Sequence, residues 1–358
     1  MIYSVIMAGG KGTRFWPVSR ETRPKQFLPV VERKTMIQAT LDRTSLLAPP
    51  ERTLVVIGAE HEPLARDQLP TVPKDNIIVE PVGRNTAPCV ALAASIIHKR
   101  HPGAIMAVFP ADHVMSHPER LRDTALALAS ALANEEGKLG TIGISPAYPE
   151  TGYGYIHQGD KLEGAVHKAR GFTEKPDLDT AKGYLKSGDY LWNSGMFFWK
   201  TTAILSAVEK YAPDLAAAMA PLEKAVDTPG FDETMARVYP TLPSISIDYA
   251  IMEKAASDGL ALVAAADPGW SDVGSWRSLY DLIPPDANGN RAHGQLISVD
   301  STGLLVHNTK RLVAAVGVQD LIVVETDDAI LILDKEKAQD VRQVIEEIKK
   351  RKIDFYLT

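Results

Sequence analysis

The sequence predicts an α/β fold, a doubly wound sheet flanked by helices, followed by a small all-β module and a terminal helix. Three observations predict it. Apolar bursts recur at 2–7, 53–58, 76–79, 104–109 and 139–145 with helix-patterned segments between several of them, the alternation of a sheet buried on both faces. Past the turn-rich stretch Pro284-Pro285-Asp286-Ala287-Asn288-Gly289 only short apolar strands remain. Finally, 335–351 carries Val341, Val344, Ile345 and Ile348 at helical spacing with charges on the other faces.

Met1 leads directly into a short apolar run ending at Met7, which lacks the basic start of a signal peptide and the length to cross a bilayer, so it reads as the first strand. No later apolar run reaches transmembrane length. Helices are expected near 35–47, 60–68, 86–100 and 118–135, the last stopping at Glu136-Gly137. Between 150 and 275, strands near 153–158, 166–173, 191–199 and 260–266 sit among helices as an elaboration of the same domain. The module strands near 296–299, 303–306, 311–316, 321–325 and 329–333 suit either a compact sheet or a few coils of a β-helix. The division expected is a catalytic domain 1–284 and a β module plus helix 285–358, with the apolar stripe of that helix laid against a partner surface.

The 358 residues are 45% hydrophobic and 23% charged, with neither a charge block nor a low-complexity tract, so extensive disorder is not expected. A net charge of -6 argues against a nucleic-acid-binding surface and makes any phosphate site local. Cys89, the only cysteine, can form neither an intrachain disulfide nor a cysteine zinc site, which suits a reducing cytosol.

The most informative segment is Ala8-Gly9-Gly10-Lys11-Gly12-Thr13-Arg14 after the first strand, continued by Arg23-Pro24-Lys25. Glycines let a backbone approach phosphate oxygens, and successive N–H groups make an anion nest. Arg14 and Lys25 add the charge needed to neutralise, respectively, a departing pyrophosphate and a five-coordinate phosphorus. The spacing fits neither the dinucleotide fingerprint nor the P-loop. By themselves the glycines also suit a ligand-free turn; Arg14, Pro24 and Lys25 tip the reading toward phosphate.

Asp112 follows a buried strand, where ligands bind in open α/β sheets, and Asp272 lies in the loop Gly269-Trp270-Ser271-Asp272-Val273-Gly274. Each alone reads as a turn or helix cap. Taken with the phosphate loop they form a pair of carboxylates for Mg²⁺, which takes few carboxylates beside phosphate oxygens and water. The two must then meet over the glycine turn. His113 reads as a helix-entry residue, since an anionic phosphate nucleophile needs no base.

Glu80-Pro81-Val82-Gly83-Arg84-Asn85-Thr86-Ala87-Pro88 joins a strand to a helix, and Glu80 and Arg84 offer what a purine edge requires, with Asn85 or Thr86 doubling as the helix cap. Gly154 leaves room for a ring against the backbone, Glu174, Asn193 and Asp248 can bond hydroxyls, and Lys175 can hold a phosphate, though Glu174-Lys175 alone also reads as a solvated charge pair. Trp192, Phe197, Phe198 and Trp199 are expected to be core.

Gly-Gly-x-Gly-x-Arg followed by Pro-Lys resembles the signature of the sugar nucleotidyltransferases, and the Asp112 segment and Trp-Ser-Asp-Val-Gly resemble the family's metal positions. The string from Glu80 to Pro88 is similar to the mannose-1-phosphate guanylyltransferase branch. The resemblance covers essentially the entire chain. It implies a Rossmann-like mixed sheet of the nucleotide-diphospho-sugar transferase type with a β-helix-like C-terminal module. It also implies GTP and mannose 1-phosphate as substrates, GDP-mannose as product, Mg²⁺ as cofactor and a cytoplasmic homodimer with neither nucleic acid nor membrane as partner. Nucleotide contacts then fall to Ala8, Gly9, Gly10, Gly12, Thr13, Glu80, Arg84, Asn85 and Thr86. The resemblance likewise implies that Gly154, Glu174, Lys175, Asn193 and Asp248 form one sugar-holding set, with Lys175 positioning the nucleophile. Two-function members carry a further isomerase domain of cupin type; the sequence stops short of one, so isomerase activity is not expected. Two readings stay open beside this one: a silent GDP-mannose sensor, disfavoured by the intact charged set, and the same chemistry on another sugar such as a manno-heptose 1-phosphate.

Overall fold

Strand pairing explains how the apolar bursts are used. The computed structural model describes residues 1–10 and 12–358, so Lys11 of the glycine motif lies outside the described residues. By contact the chain sorts into two units, the first being Met1–Gly9, Gln38–Ala111 and Met115–Trp270, and the second Gly10–Ile37, Asp112–Val114 and Ser271–Thr358. That grouping cuts the chain differently from a single border at 284/285: the turn after the first strand, Asp112–Val114 and the stretch from Ser271 go with the C-terminal part.

The first unit holds nine strands: β1 (Ile2–Met7), β2 (Thr53–Gly58), β3 (Ile77–Glu80), β4 (Ile105–Pro110), β5 (Leu139–Ile144), β6 (Tyr155–Glu163), β7 (Val166–Thr173), β8 (Tyr190–Lys200) and β9 (Ala261–Ala266). Their order is β3-β2-β1-β4-β8-β5-β9-β7-β6. The β3-β2-β1-β4 half is parallel, as expected from the strand–helix alternation. β8 runs antiparallel between β4 and β5, which makes the whole sheet mixed.

Alternation along each strand builds two cores. Met106 and Val108 of β4 pack with Val5, Val56, Val90 and Ile97 on one face, while Ala107 and Phe109 pack with Leu121, Leu128, Leu132 and Phe198 on the other. The helix Thr86–Arg100 is alanine-rich and buried along most of its length, Cys89 included. On the opposite face the helix Pro118–Asn134 comes down on β5 because Gly140 has no side chain: a Cβ there would sit 3.0 Å from Leu128 Cδ1 and 3.1 Å from Leu132 Cδ1. Trp192, Phe197, Phe198 and Trp199 are all buried.

In the second unit the module strands are β10 (Arg291–His293), β11 (Leu296–Val299), β12 (Leu305–His307), β13 (Val313–Val316), β14 (Leu321–Glu325) and β15 (Ile330–Asp334). β10, β12 and β14 stack in parallel register, as do β11 and β13, the pattern of successive coils rather than of a meander. β15 closes β14 antiparallel. The expected terminal helix opens as a 3-10 stretch, Lys335–Asp340, whose Glu336 N–H is capped by Asp334, and becomes α-helical at Val341–Lys350. Val341, Ile345 and Ile348 of its stripe are buried within this same unit against a cluster holding Phe15, Trp16, Trp276, Leu305 and Ile322. Among the described residues no helix is long and apolar enough to cross a membrane.

Candidate active site

The second unit gathers the phosphate and metal candidates. Gly10 and Gly12 take positive φ, 99° and 57°, and a Cβ on Gly12 would lie 2.8 Å from the Lys25 amide nitrogen, so no side chain fits there. Two side chains pin the turn: Ser19 Oγ donates to the Gly12 carbonyl at 2.6 Å and Gln26 Nε2 donates to the Gly10 carbonyl at 3.2 Å. Thr13 and Arg14 follow in a short 3-10 turn, and among the described residues Arg14 has no ion pair. Ala8, in the first unit, donates its N–H to Val56 O at 2.9 Å, so that donor is committed to the sheet edge.

Lys25 is buried, and its ammonium meets the Asp112 carboxylate at 2.8 Å, the Asp272 carbonyl at 2.9 Å and the Val273 carbonyl at 3.0 Å. Three donors on three oxygens satisfy a cation that would otherwise be costly to bury. Asp112 and Asp272 therefore lie on one ammonium, the first through its carboxylate and the second through its main chain. Any contact of Lys25 with a phosphate requires exchange of one of these oxygens.

Burial pushes the Asp112 carboxyl up, but the Lys25 charge, His113 and the Lys25 hydrogen bond outweigh it and hold the group below its usual value. Its side chain stays 41% exposed and thus available to a further cation. Asp272 Oδ1 accepts from the Gly274 N–H at 3.0 Å, and a Cβ on Gly274 would fall 2.5 Å from Asp272 Oδ2. Val273 between them has φ of 42°, which costs a β-branched residue about 1–2 kcal/mol. The loop thus holds the carboxylate at the expense of backbone strain. Among the described residues no group of three or more His, Cys, Asp or Glu could enclose a metal. The partly exposed Asp112 carboxylate is nevertheless a hard oxygen ligand of the kind that Mg²⁺ shared with a substrate's phosphates takes, and Asp272 belongs to the loop that reaches the same ammonium through its carbonyl. His113 is not at a helix entry: it follows the turn Ala111-Asp112 and precedes the short strand Val114–Met115, well before the helix that starts at Pro118, with Nε2 4.0 Å from Asp112 Oδ1.

The first unit gathers the base and sugar candidates. Glu80 ends β3, is buried, and accepts a short hydrogen bond from the Tyr239 hydroxyl. Burial raises its carboxyl to about 7, the Tyr239 bond opposing the rise. Arg84 Nε is buried with no hydrogen-bond partner among the described residues. Asn85, at φ 65°, is the helix N-cap, its side chain accepting from the Thr86 N–H at 2.8 Å. Thr86 Oγ1 in turn accepts from the Ile247 N–H at 2.8 Å, which ties this cap to the segment carrying Asp248.

Gly154, Glu174, Lys175, Asn193 and Asp248 come together as one network. Asn193 Nδ2 donates to Asp248 Oδ1 at 2.9 Å, and the Asn193 N–H donates to the Gly154 carbonyl at 2.8 Å. Lys175 Nζ pairs with Glu174 Oε1. A Cβ on Gly154 would lie 2.5 Å from Glu174 Oε2, so a side chain there would displace that carboxylate. Burial, then the nearby Glu174 charge, lifts Asp248 to about 6. Burial lowers the Lys175 ammonium, but its bond to Glu174 more than offsets this and leaves it above the ordinary value.

Sequence reasoning missed four supporting residues: Tyr239, Ser19, Gln26 and Glu253, whose Oε1 accepts from the Glu174 N–H at 3.4 Å. Tyr239, Ser19 and Glu253 stand in no motif, and Gln26 follows the Pro24-Lys25 pair with no signal of its own. Tyr239, between Val238 and Pro240, has the pattern of ordinary core.

The Nucleotidyl transferase family profile matches residues 3–289, and that of the MannoseP isomerase/GMP-like beta-helix domain matches 294–348. The chain is 42% identical to the mannose-1-phosphate guanylyltransferase ManC of Salmonella typhimurium over 97% of this chain and 73% of that one. It is 43% identical to the xanthan biosynthesis protein XanB of Xanthomonas campestris over 97% and 73% of the respective chains. A crystal structure described as mannose-1-phosphate geranyltransferase from Thermus thermophilus superposes with a TM-score of 0.87 at 36% identity, covering 97% of this chain and 99% of that one.

Proposed function

The chain belongs to the nucleotidyl transferase family, and from that membership we propose that it joins mannose 1-phosphate to the GMP moiety of GTP, releasing diphosphate and GDP-mannose. The observation that carries the reading is the convergence of Asp112 and Asp272 on the Lys25 ammonium, within the unit that also holds the Gly12 turn and Arg14.

A phosphate oxygen of mannose 1-phosphate attacks the α-phosphorus of GTP, the new O–P bond forming as the bond to the β-phosphate oxygen breaks. Mannose 1-phosphate arrives already anionic, so no residue has to remove a proton. Arg14 neutralises the departing diphosphate, and Lys25, on exchange of one of its protein oxygens, the charge on the five-coordinate phosphorus. Lys175 holds the sugar phosphate, while Glu174, Asn193 and Asp248 hold hydroxyls above Gly154. Glu80 and Arg84 read the guanine edge, and Ala8, Gly9, Gly10, Gly12 and Thr13 with Asn85 and Thr86 line the nucleotide. Asp112 and Asp272 would hold Mg²⁺, which when bound supplies charge neutralisation on the phosphates.

We further assign 1–284 to catalysis and 285–358 to homodimerisation. Supporting the latter are Ile297, Val299, Val316, Ile330 and Ile332, apolar residues left exposed on the module, for which a second copy is the natural cover. The single buried Cys89 supports a cytoplasmic setting. Diphosphate release tests the function: GTP with mannose 1-phosphate and Mg²⁺ should release it, while ATP, UTP or dTTP, other sugar 1-phosphates, or added chelator should not. Equal rates with another nucleotide or sugar would refute the substrate assignment.

A further inference from the structure

Glu80 is set apart from the other acids of the first unit by having a buried phenol as its partner. Guanine presents N1–H and N2–H₂ along one edge, so a carboxylate that reads it must be ionised and held in a fixed orientation. A glutamate side chain left to itself has several rotamers, and an apolar surround favours its protonated, donor-bearing form. Tyr239 answers both problems. It is wholly buried in the turn Tyr239–Thr241, and its hydroxyl donates to Oε1, which fixes the carboxylate through one of its two oxygens.

Resting on the guanylyl-transfer reading, we infer that Tyr239 is the positioning residue for nucleotide-base selection: its hydroxyl fixes the Glu80 carboxylate and favours the anion that accepts from guanine. The donor is itself stable. Burial, with Cys89 and Glu80 nearby, pushes the Tyr239 phenol upward, so it keeps its proton throughout the working range. The charged and titratable groups packed around Glu80 are few. Cys89 of the helix Thr86–Arg100 interacts with it electrostatically, and Arg84 acts on Tyr239. On the β2 side, His61 lies beside Gly58, the register partner of Glu80, and pairs with Glu60 at 3.7 Å. None of these replaces the phenol as a hydrogen-bond donor to the carboxylate. With Glu80 raised to about 7, loss of the phenol's hydrogen bond moves an equilibrium that is already near balance.

The test compares wild type, Tyr239→Phe, Glu80→Gln and the double variant in initial-rate kinetics from about pH 6 to about pH 9. Substrate phosphates titrate near pH 6 as well, so the variant-to-wild-type ratio is read at each pH, which cancels their contribution. Tyr239→Phe should raise KM for GTP on the order of ten-fold at neutral pH, with kcat and KM for mannose 1-phosphate changed less than about two-fold. The ratio should shrink toward alkaline pH, where Glu80 is ionised in both proteins. In the Glu80→Gln background, adding Tyr239→Phe should change KM for GTP no further. An unchanged KM for GTP, or a loss that is the same at every pH and persists in the Glu80→Gln background, would overturn the inference, as would a fall in melting temperature as the sole effect. If wild type turns over no nucleotide, the guanylyl-transfer reading fails instead, and equilibrium binding of GTP against ATP to wild type and Tyr239→Phe still decides the role of Tyr239.

Discussion

Asp112 in the second unit and Asp248 and Glu80 in the first are all carboxylates whose charged form is penalised by their surroundings, yet they are tuned in opposite directions. Burial pushes each of them up. Asp112 has an ammonium at 2.8 Å that reverses the shift, Asp248 has an amide beside a repelling carboxylate, and Glu80 has a phenol. The neighbour, not the depth, decides the protonation state. A carboxylate meant for a metal must be ionised before the metal arrives, whereas one meant for sugar hydroxyls can serve in either protonation state, since a hydroxyl both donates and accepts.

Four experiments would break or sharpen that contrast. The largest effect is expected at the metal pair: Asp112→Asn and Asp272→Asn should each lower kcat by about a thousand-fold or more. Only the first should also destabilise the fold, because it leaves the Lys25 ammonium without a carboxylate while Asp272→Asn keeps its carbonyl; thermal melts that put the two on a par would remove the distinction. Next, Lys175→Ala should cost about a hundred-fold in turnover through lost positioning. Its side chain is 58% exposed, so melting should hardly move, and a large drop would recast Lys175 as structural.

The third concerns Glu80, whose folded value of about 7 stands above the ordinary 4.5. The folded state binds more protons across that window, so stability is greatest at the acid end and declines as pH rises toward 7. Glu80→Gln keeps an acceptor for Tyr239 without the charge, and should be more stable than wild type above pH 7 by at most about 3 kcal/mol, the advantage fading below 4.5. Denaturant melts across that range would check it, and a variant less stable at high pH would contradict the tuning. The smallest effect is Ser19→Ala, which frees the Gly12 carbonyl and should cost about 1 kcal/mol, read as a few-fold rise in KM for GTP.

Much of the fold was legible because apolar runs and glycines carry local physics. The parallel pairing among β1 to β4 follows from apolar runs alternating with helices, and the turn at Gly12 from its glycines, while the order β3-β2-β1-β4 came only with the folded chain. The reversal of β8 was not legible, since a run such as Leu191 to Trp199 reads alike in either direction. Nor was the seat of the last helix, because an amphipathic stripe says that something covers it and not what. At the site, the residues in motifs were found and those that brace them were not: Tyr239 and Ser19 differ from ordinary core and loop residues only through their partners in the folded chain. His113 departs from expectation because a histidine after a strand fits a helix start as well as a turn.

Cys89 has a practical corollary. Burial, and then the charge of Glu80, pushes its thiol well above the ordinary value, and it lies inside the helix Thr86–Arg100. Maleimide and iodoacetamide chemistry at neutral pH should therefore pass it by. A cysteine engineered anywhere on the surface would become the sole attachment point for a fluorophore or spin label, without first deleting the native one.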